Sequence, residues 1–188
     1  MERRELLKMI AMLTGGVIIG GHTLLTGCSP EKGELKNKVV FSQQDLDFLG
    51  EVSDTILPAT QSPGAKAAGV GSFMAVMVND CYEEKDQKVF MDGIGQLNAA
   101  CNQMHGAEFM KATAQQRLSL LTALDKEAKA HQSKKGDVPA HYFTMMKQLT
   151  LLGYFTSEAG CTKAMRYMAV PGRYEGSVSY KKGDKAWA

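Results

Sequence analysis

The sequence has no excess of charge that would direct the protein to nucleic acid. Its 188 residues include 22 lysines and arginines and 20 aspartates and glutamates, which gives a formal net charge of +2 at pH 7. Domains that bind nucleic acid usually concentrate basic residues on one face to meet the phosphate backbone. No such stripe occurs here, so nucleic acid is not among the expected partners.

The sequence also lacks the motifs that would indicate catalysis or cofactor binding. It contains no Gly-x-Gly-x-x-Gly fingerprint, phosphate loop, His-Glu-x-x-His or Gly-x-Ser-x-Gly motif. His131 and His141 lie ten residues apart across a predicted loop. A shared metal ion is conceivable there, but solvated histidines at helix ends are far commoner. We therefore predict no catalytic, cofactor-binding or metal-binding residue in this chain.

Cysteine is too scarce for a disulfide framework. Apart from Cys28, the chain has Cys81, Cys101 and Cys161, and an odd number cannot pair completely. None of them belongs to a Cys-x-x-Cys motif. We expect small buried apolar residues, and one disulfide stays open as an alternative in an oxidising periplasm.

The amino-terminal residues have the pattern of an export signal. Arg3 and Arg4 precede a moderately apolar, glycine-rich stretch over residues 9–25. This stretch is shorter and less apolar than the roughly 20 residues that a transmembrane helix requires. The Arg-Arg-x-Leu-Leu-Lys pattern predicts the twin-arginine export route. An ordinary secretory signal that contains two arginines is the alternative.

The end of this stretch predicts a lipid anchor. Leu25-Thr26-Gly27-Cys28 resembles the bacterial lipobox, in which the cysteine thiol receives a diacylglycerol. A chance cysteine near a standard cleavage site is the alternative. Each buried CH₂ of a lipid adds about 0.8 kcal/mol, so two or three acyl chains anchor a protein stably. We predict a signal peptide over residues 1–27, a tether over 28–40, a domain over 41–188, and a lipid-anchored location in the periplasm or cell envelope.

Helical periodicity in the remaining sequence predicts an all-α fold, a bundle of five to six helices with an irregular C-terminal arm. Gly93 and Gly95 weaken the third helix unless they mark a close crossing. The best strand signal, residues 177–180, is too short to build a sheet. The first predicted helix begins at Ser42 and ends before Pro58, and the second and third span residues 70–82 and 84–105. The fourth begins at the Thr113 capping box, the fifth begins near Pro139, and the sixth spans residues 157–168.

The aromatic residues of the arm, residues 171–188, predict a contact surface. Tyr174, Tyr180 and Trp187 have no predicted helix to bury them. Tyrosine and tryptophan are enriched at interfaces because they combine apolar area with a hydrogen-bonding group. We predict that these three residues contact a partner protein, together with the turn at Pro63 and Gly64.

Three segments in order resemble the gluconate 2-dehydrogenase subunit 3 family, over about residues 41–176. The first is Asp54-Thr55-Ile56-Leu57-Pro58, followed by Pro63-Gly64-Ala65 and Gly69-Val70. The second runs from Leu149-Thr150 through Gly153-Tyr154-Phe155-Thr156-Ser157-Glu158 to Gly160. The third is Tyr167 followed by Val170-Pro171-Gly172-Arg173-Tyr174-Glu175-Gly176.

This resemblance implies an accessory role. In such complexes a large subunit of the glucose–methanol–choline oxidoreductase type holds FAD and oxidises a sugar, sugar acid or polyol. A cytochrome or another carrier accepts the electrons. The small subunit carries the export signal and helps the large subunit to mature and cross the membrane, and the lipobox suggests that it also anchors the complex. Two other functions stay open: a stand-alone periplasmic enzyme with an unrecognised site, and a lipid-anchored module that binds glycans.

Overall fold

The computed structural model describes residues 39–133 and 139–188, together with Glu5. Arg3, Arg4 and Cys28, on which the predicted export signal and lipid anchor depend, lie outside the described residues. Residues 39–188 form one compact unit. The all-α prediction is confirmed, because this part of the chain is helical and contains no strand. The helices are α1 (Gln43–Ile56), α2 (Val70–Cys81), α3 (Glu84–His105), α4 (Ala114–Gln132) and α5 (Tyr142–Phe155).

Local hydrogen bonds explain where most helices begin and end. The Ser42 hydroxyl accepts from the Asp45 amide at 3.2 Å, and the Asp45 carboxylate accepts from the Ser42 amide at 2.9 Å. This is a capping box, and Thr113 forms the predicted second one at the start of α4. Gly106 ends α3 at a φ of 67°, which a residue with a side chain adopts only with strain.

Two predicted helix boundaries are wrong. The helix expected to begin near Pro139 begins at Tyr142, because the Nδ1 atom of His141 accepts a hydrogen bond from the Phe143 amide and caps the helix. The helix expected over residues 157–168 starts as predicted, at Glu158, but ends in a π-helical turn over Gly160–Ala164, closed by a bond from the Met165 amide to the Gly160 carbonyl. Helical structure stops there because the chain turns extended at Met165.

The core lies between the five helices and depends on close helix approaches. A Cβ atom on Gly93 would lie 2.5 Å from the Cβ atom of Tyr142, so α3 and α5 cross in contact there. A Cβ atom on Gly95 would meet no other part of the fold within 4 Å, so the expected close crossing explains Gly93 alone. The largest fully buried side chains come from α1 to α5 and from a 3₁₀ turn over Phe109–Lys111. They include Leu49, Val52, Met74, Val78, Phe90, Leu97, Phe109, Leu120, Phe143 and Met146.

None of the helices in the described part of the chain is long and apolar enough to cross a lipid bilayer.

Candidate functional site

The predicted contact residues of the arm are exposed. The exposed fraction is 94% for Tyr174, 72% for Tyr180 and 49% for Trp187. Tyr174 and Trp187 line one cavity of about 450 Å³, together with Met168 and Val178, whereas Tyr180 does not. Exposed aromatic residues around an apolar cavity have the composition of a protein contact surface.

The arm is fastened at its base to Arg166. The Arg166 amide donates to the Ala186 carbonyl at 2.8 Å, and the Ala188 amide donates to the Arg166 carbonyl at 2.8 Å. The guanidinium carbon of Arg166 lies 4.4 Å from the centroid of the Trp187 ring, which is a cation–π contact. Trp187 therefore helps to close the loop of residues 167–186. Sequence analysis missed Arg166, because no local pattern links it to a residue about twenty positions away.

The predicted turn at Pro63 and Gly64 packs against the end of α5. The Tyr154 hydroxyl donates to the Pro63 carbonyl at 2.8 Å and lies 3.2 Å from the Ser62 hydroxyl. Pro63 is exposed, whereas Gly64 is buried. A Cβ atom on Gly64 would lie 2.3 Å from an Asp54 carboxylate oxygen, so Gly64 shapes the turn and Pro63 is the residue that a partner can touch.

A second surface feature is the groove that brings His131 and His141 together. It has a volume of about 540 Å³, and the two imidazole centroids are 5.6 Å apart. The Nε2 atom of His141 lies 3.8 Å from a Glu127 carboxylate oxygen. Its Nδ1 atom accepts the helix-capping hydrogen bond, which places the proton of the neutral ring on Nε2 and opposes metal ligation by that atom.

No group of three or more His, Cys, Asp or Glu side chains within residues 39–133 and 139–188 could hold a metal ion. The groove also includes Tyr142, and burial, with the nearby charge of Glu127, raises the pKa of Tyr142 to about 12. Its phenol therefore stays protonated at neutral pH and is not a ready proton acceptor.

An ionic cluster centred on Glu51 connects four parts of the fold. Its carboxylate accepts from the Lys66 ammonium at 2.7 Å and from the Arg117 guanidinium. Arg117 also donates to the carbonyls of Phe109 and Met110, each at 2.9 Å, and lies over the Phe109 ring. Hydrogen bonding from Lys66, together with the charge of Arg117, lowers the pKa of Glu51 although partial burial opposes the shift. This arrangement holds α1, the loop at Lys66, α4 and the 3₁₀ turn together.

The three described cysteines are free and differ in exposure. Cys101 is buried in the core, as expected, and burial raises the pKa of its thiol. Cys81 is exposed, which departs from the expected burial, and Cys161 is partly buried. The Cys161 thiol donates to the Phe155 carbonyl at 3.1 Å.

Comparison with known protein families tests the family resemblance that the three sequence segments indicated. The model of one family, described as gluconate 2-dehydrogenase subunit 3, matches residues 43–172. The chain belongs to this family. No curated protein and no solved structure matches it.

The range shared with the subunit 3 family contains all five α-helices and the π-helical turn, and it ends at Gly172. Pro63 and Gly64 lie inside this range. Tyr174, Tyr180 and Trp187 lie beyond it. The family match therefore covers the turn of the predicted contact surface but not the aromatic residues of the arm. Membership of a dehydrogenase-subunit family makes this chain a component of an oxidoreductase complex of the gluconate 2-dehydrogenase type.

Proposed function

We propose that this protein is the non-catalytic small subunit of a periplasmic, membrane-anchored FAD-dependent dehydrogenase complex. Its partner is a large subunit of the glucose–methanol–choline type, which holds the FAD and oxidises a sugar, sugar acid or polyol. A cytochrome or another carrier accepts the electrons from that partner. The observation that carries this proposal is the family match, because it spans the whole helical bundle.

The export signal gives the small subunit a task within such a complex. The twin-arginine route moves folded proteins, including those that bind a cofactor before export. The signal on this chain therefore serves the flavoprotein, which matures in the cytoplasm and is carried across the membrane with it. The lipid on Cys28 then anchors the complex to the membrane.

The contact with the flavoprotein uses the arm and the turn that packs against α5. Tyr174, Tyr180 and Trp187 provide exposed aromatic area, and Pro63 provides a rigid exposed corner. Gly64 allows that corner to form, because a side chain there would overlap the Asp54 carboxylate. Aromatic residues with two rotatable side-chain bonds supply contact area at a low entropic cost.

Purification from the native envelope in mild detergent tests the partnership. Capture of the full chain is expected to recover a flavoprotein, identified by mass spectrometry and by flavin absorbance. A chain that is purified alone, carries its own prosthetic group and converts substrate would overturn the proposal in favour of a stand-alone enzyme.

Export is tested by replacing the arginine pair with lysines. Arg3→Lys with Arg4→Lys keeps both charges but removes both guanidinium groups, so it separates the twin-arginine route from the general one. We expect the flavoprotein to stay in the cytoplasm, and its undiminished arrival in the periplasm would contradict this role. Cys28→Ser is expected to move the complex from the membrane fraction to the soluble periplasm while leaving its export intact.

A further inference from the structure

The arm contains a segment with the side-chain pattern of a β-strand. Residues 173–181 read Arg-Tyr-Glu-Gly-Ser-Val-Ser-Tyr-Lys, so polar residues alternate with Tyr174, Gly176, Val178 and Tyr180. A period of two places alternate residues on opposite faces of an extended chain, and it is typical of a strand with one buried face. The apolar members are exposed.

The backbone of residues 173–180 is unpaired in the described part of the chain. Within the described residues, no amide or carbonyl of residues 173–180 forms a hydrogen bond with another backbone group. The Tyr174 ring lies along the chain at this bend, since a Cβ atom on Gly176 would lie 3.0 Å from the Tyr174 hydroxyl oxygen. The chain bends at Arg173 and Gly176, so pairing requires the segment to straighten there, and its free backbone groups then form a template for another strand.

Both ends of the segment are held by local structure. Gly172 and Gly183 adopt φ angles of 72° and 97°, which place a corner before and after it. The Lys181 amide donates to the Asp184 carboxylate at 2.9 Å, and the Asp184 amide donates to the Lys181 carbonyl at 3.0 Å. With the base closed at Arg166, less chain entropy is lost when the segment becomes ordered on a partner.

We propose that residues 173–181 bind as an added strand at a sheet edge of the flavoprotein subunit. Main-chain hydrogen bonds supply affinity in this mode, and pockets for alternate side chains supply specificity. Tyr174, Val178 and Tyr180 would pack on the partner, and the serines and charged residues would face solvent. This inference rests on the proposed function, because it takes the flavoprotein as the occupant.

A protein sheet edge suits the arm better than the other surfaces available to it. A second copy would offer, from its described residues, only the same arm, and a ribbon of two strands alone is marginally stable. A lipid surface leaves backbone groups without partners in its apolar layer. The arm has four basic and two acidic residues, so its net charge of +2 equals that of the whole chain. We therefore expect acidic residues beside the partner's sheet edge.

Hydrogen exchange of the full chain, alone and in the complex with the flavoprotein, tests backbone pairing. In the free chain, the amides of residues 174–180 are expected to exchange almost without protection. In the complex, alternate amides of this segment are expected to exchange at least about tenfold more slowly, as in an edge strand. A flavin-containing complex with unchanged exchange in the arm would overturn the strand but leave the proposed function standing.

Paired variants test which face of the segment packs. Val178→Ser with Tyr180→Ser changes the apolar face, whereas Ser177→Ala with Ser179→Ala changes the polar face of the same segment. We expect the first pair to lower flavin recovery per captured small subunit about tenfold, and the second to leave it within about twofold. An unchanged circular dichroism spectrum would show that the helices stay folded.

Equal recovery with both pairs of variants would overturn the inference. The inference would also be overturned if Val178→Ser with Tyr180→Ser abolished self-association of the isolated chain or its binding to anionic phospholipid vesicles. Either result would assign the apolar face to another occupant. Failure to recover any flavoprotein with the unaltered chain would instead reject the proposed function, so the two failures are distinguishable.

Discussion

Glu51→Gln is the substitution for which the structure gives the sharpest expected loss of stability. The exposed fraction is 21% for the Glu51 side chain and 14% for that of Arg117, so both charges are largely removed from water. Breaking a fully buried ion pair costs about 3–5 kcal/mol, because the remaining charge loses its partner. Exposed pairs contribute only about 0–1 kcal/mol.

The Glu51 cluster falls between these limits, and Arg117 keeps its two carbonyl acceptors after the substitution. We therefore expect Glu51→Gln to lower the free energy of unfolding by about 2 kcal/mol at pH 7. For a chain of this size, that corresponds to a fall of roughly 4–8 °C in Tm. Urea unfolding of the purified chain, followed by circular dichroism, measures the difference.

The pH dependence of this difference separates an electrostatic cause from a packing defect. The pKa of Glu51 is lower in the folded chain than its ordinary value of 4.5, so its stabilisation is complete above pH 4.5. It is lost as the pH falls through the lowered pKa, and the difference between the two proteins is expected to shrink there. Lys111→Ala, which removes an exposed ion pair with Glu108, is the control and should change stability little.

A stability difference that stays constant from pH 7 to pH 3 would refute the reasoning, as would an equal loss in the Lys111→Ala control.

Three further predictions follow from burial and close contacts. Gly93→Ala should destabilise the protein although alanine favours helix, because its Cβ atom would overlap a tyrosine side chain. Gly95→Ala should instead stabilise it by up to about 1 kcal/mol, and thermal unfolding of both variants compares the two effects. Arg166→Ala should speed tryptic cleavage within the arm without changing the helical circular dichroism signal, and unchanged cleavage would contradict the closed base. A thiol reagent should modify Cys81 in the folded chain and Cys101 only after unfolding, and early modification of Cys101 would show that the core opens.

The sequence predicted the parts of the fold that local interactions determine. Ser42, Thr113 and Gly106 begin or end helices through contacts within three or four residues, so their patterns are readable directly. The span of α2 was also predicted, over residues 70–82, but its apolar composition did not reveal that Ser72, Val76 and Asp80 are exposed. The all-α class follows from the same short-range periodicity.

The errors arise where distant residues, or an unusual capping residue, decide the local structure. The expected last helix stops at Met165 because Arg166 pairs with the chain near Trp187, a contact that no helical period encodes. The α5 boundary differs because the imidazole of His141 caps it, and histidine is not one of the usual capping residues. The Glu51 cluster joins residues from separate segments and had no sequence signal. The exposure of the arm was predictable, but its closed base was not.

The direction in which the arm leaves the helical bundle depends on the number of residues in the π-helical turn. The Met165 amide donates to the Gly160 carbonyl, five residues earlier, and a turn of this kind accommodates one residue more than a regular α-helical turn. Each α-helical residue advances the chain by about 100° around the axis. Deleting one residue between Gly160 and Ala164 would therefore restore the regular pitch and rotate everything that follows by roughly a quarter of a circle. The short turn thus determines the side of the bundle on which the exposed tyrosines lie.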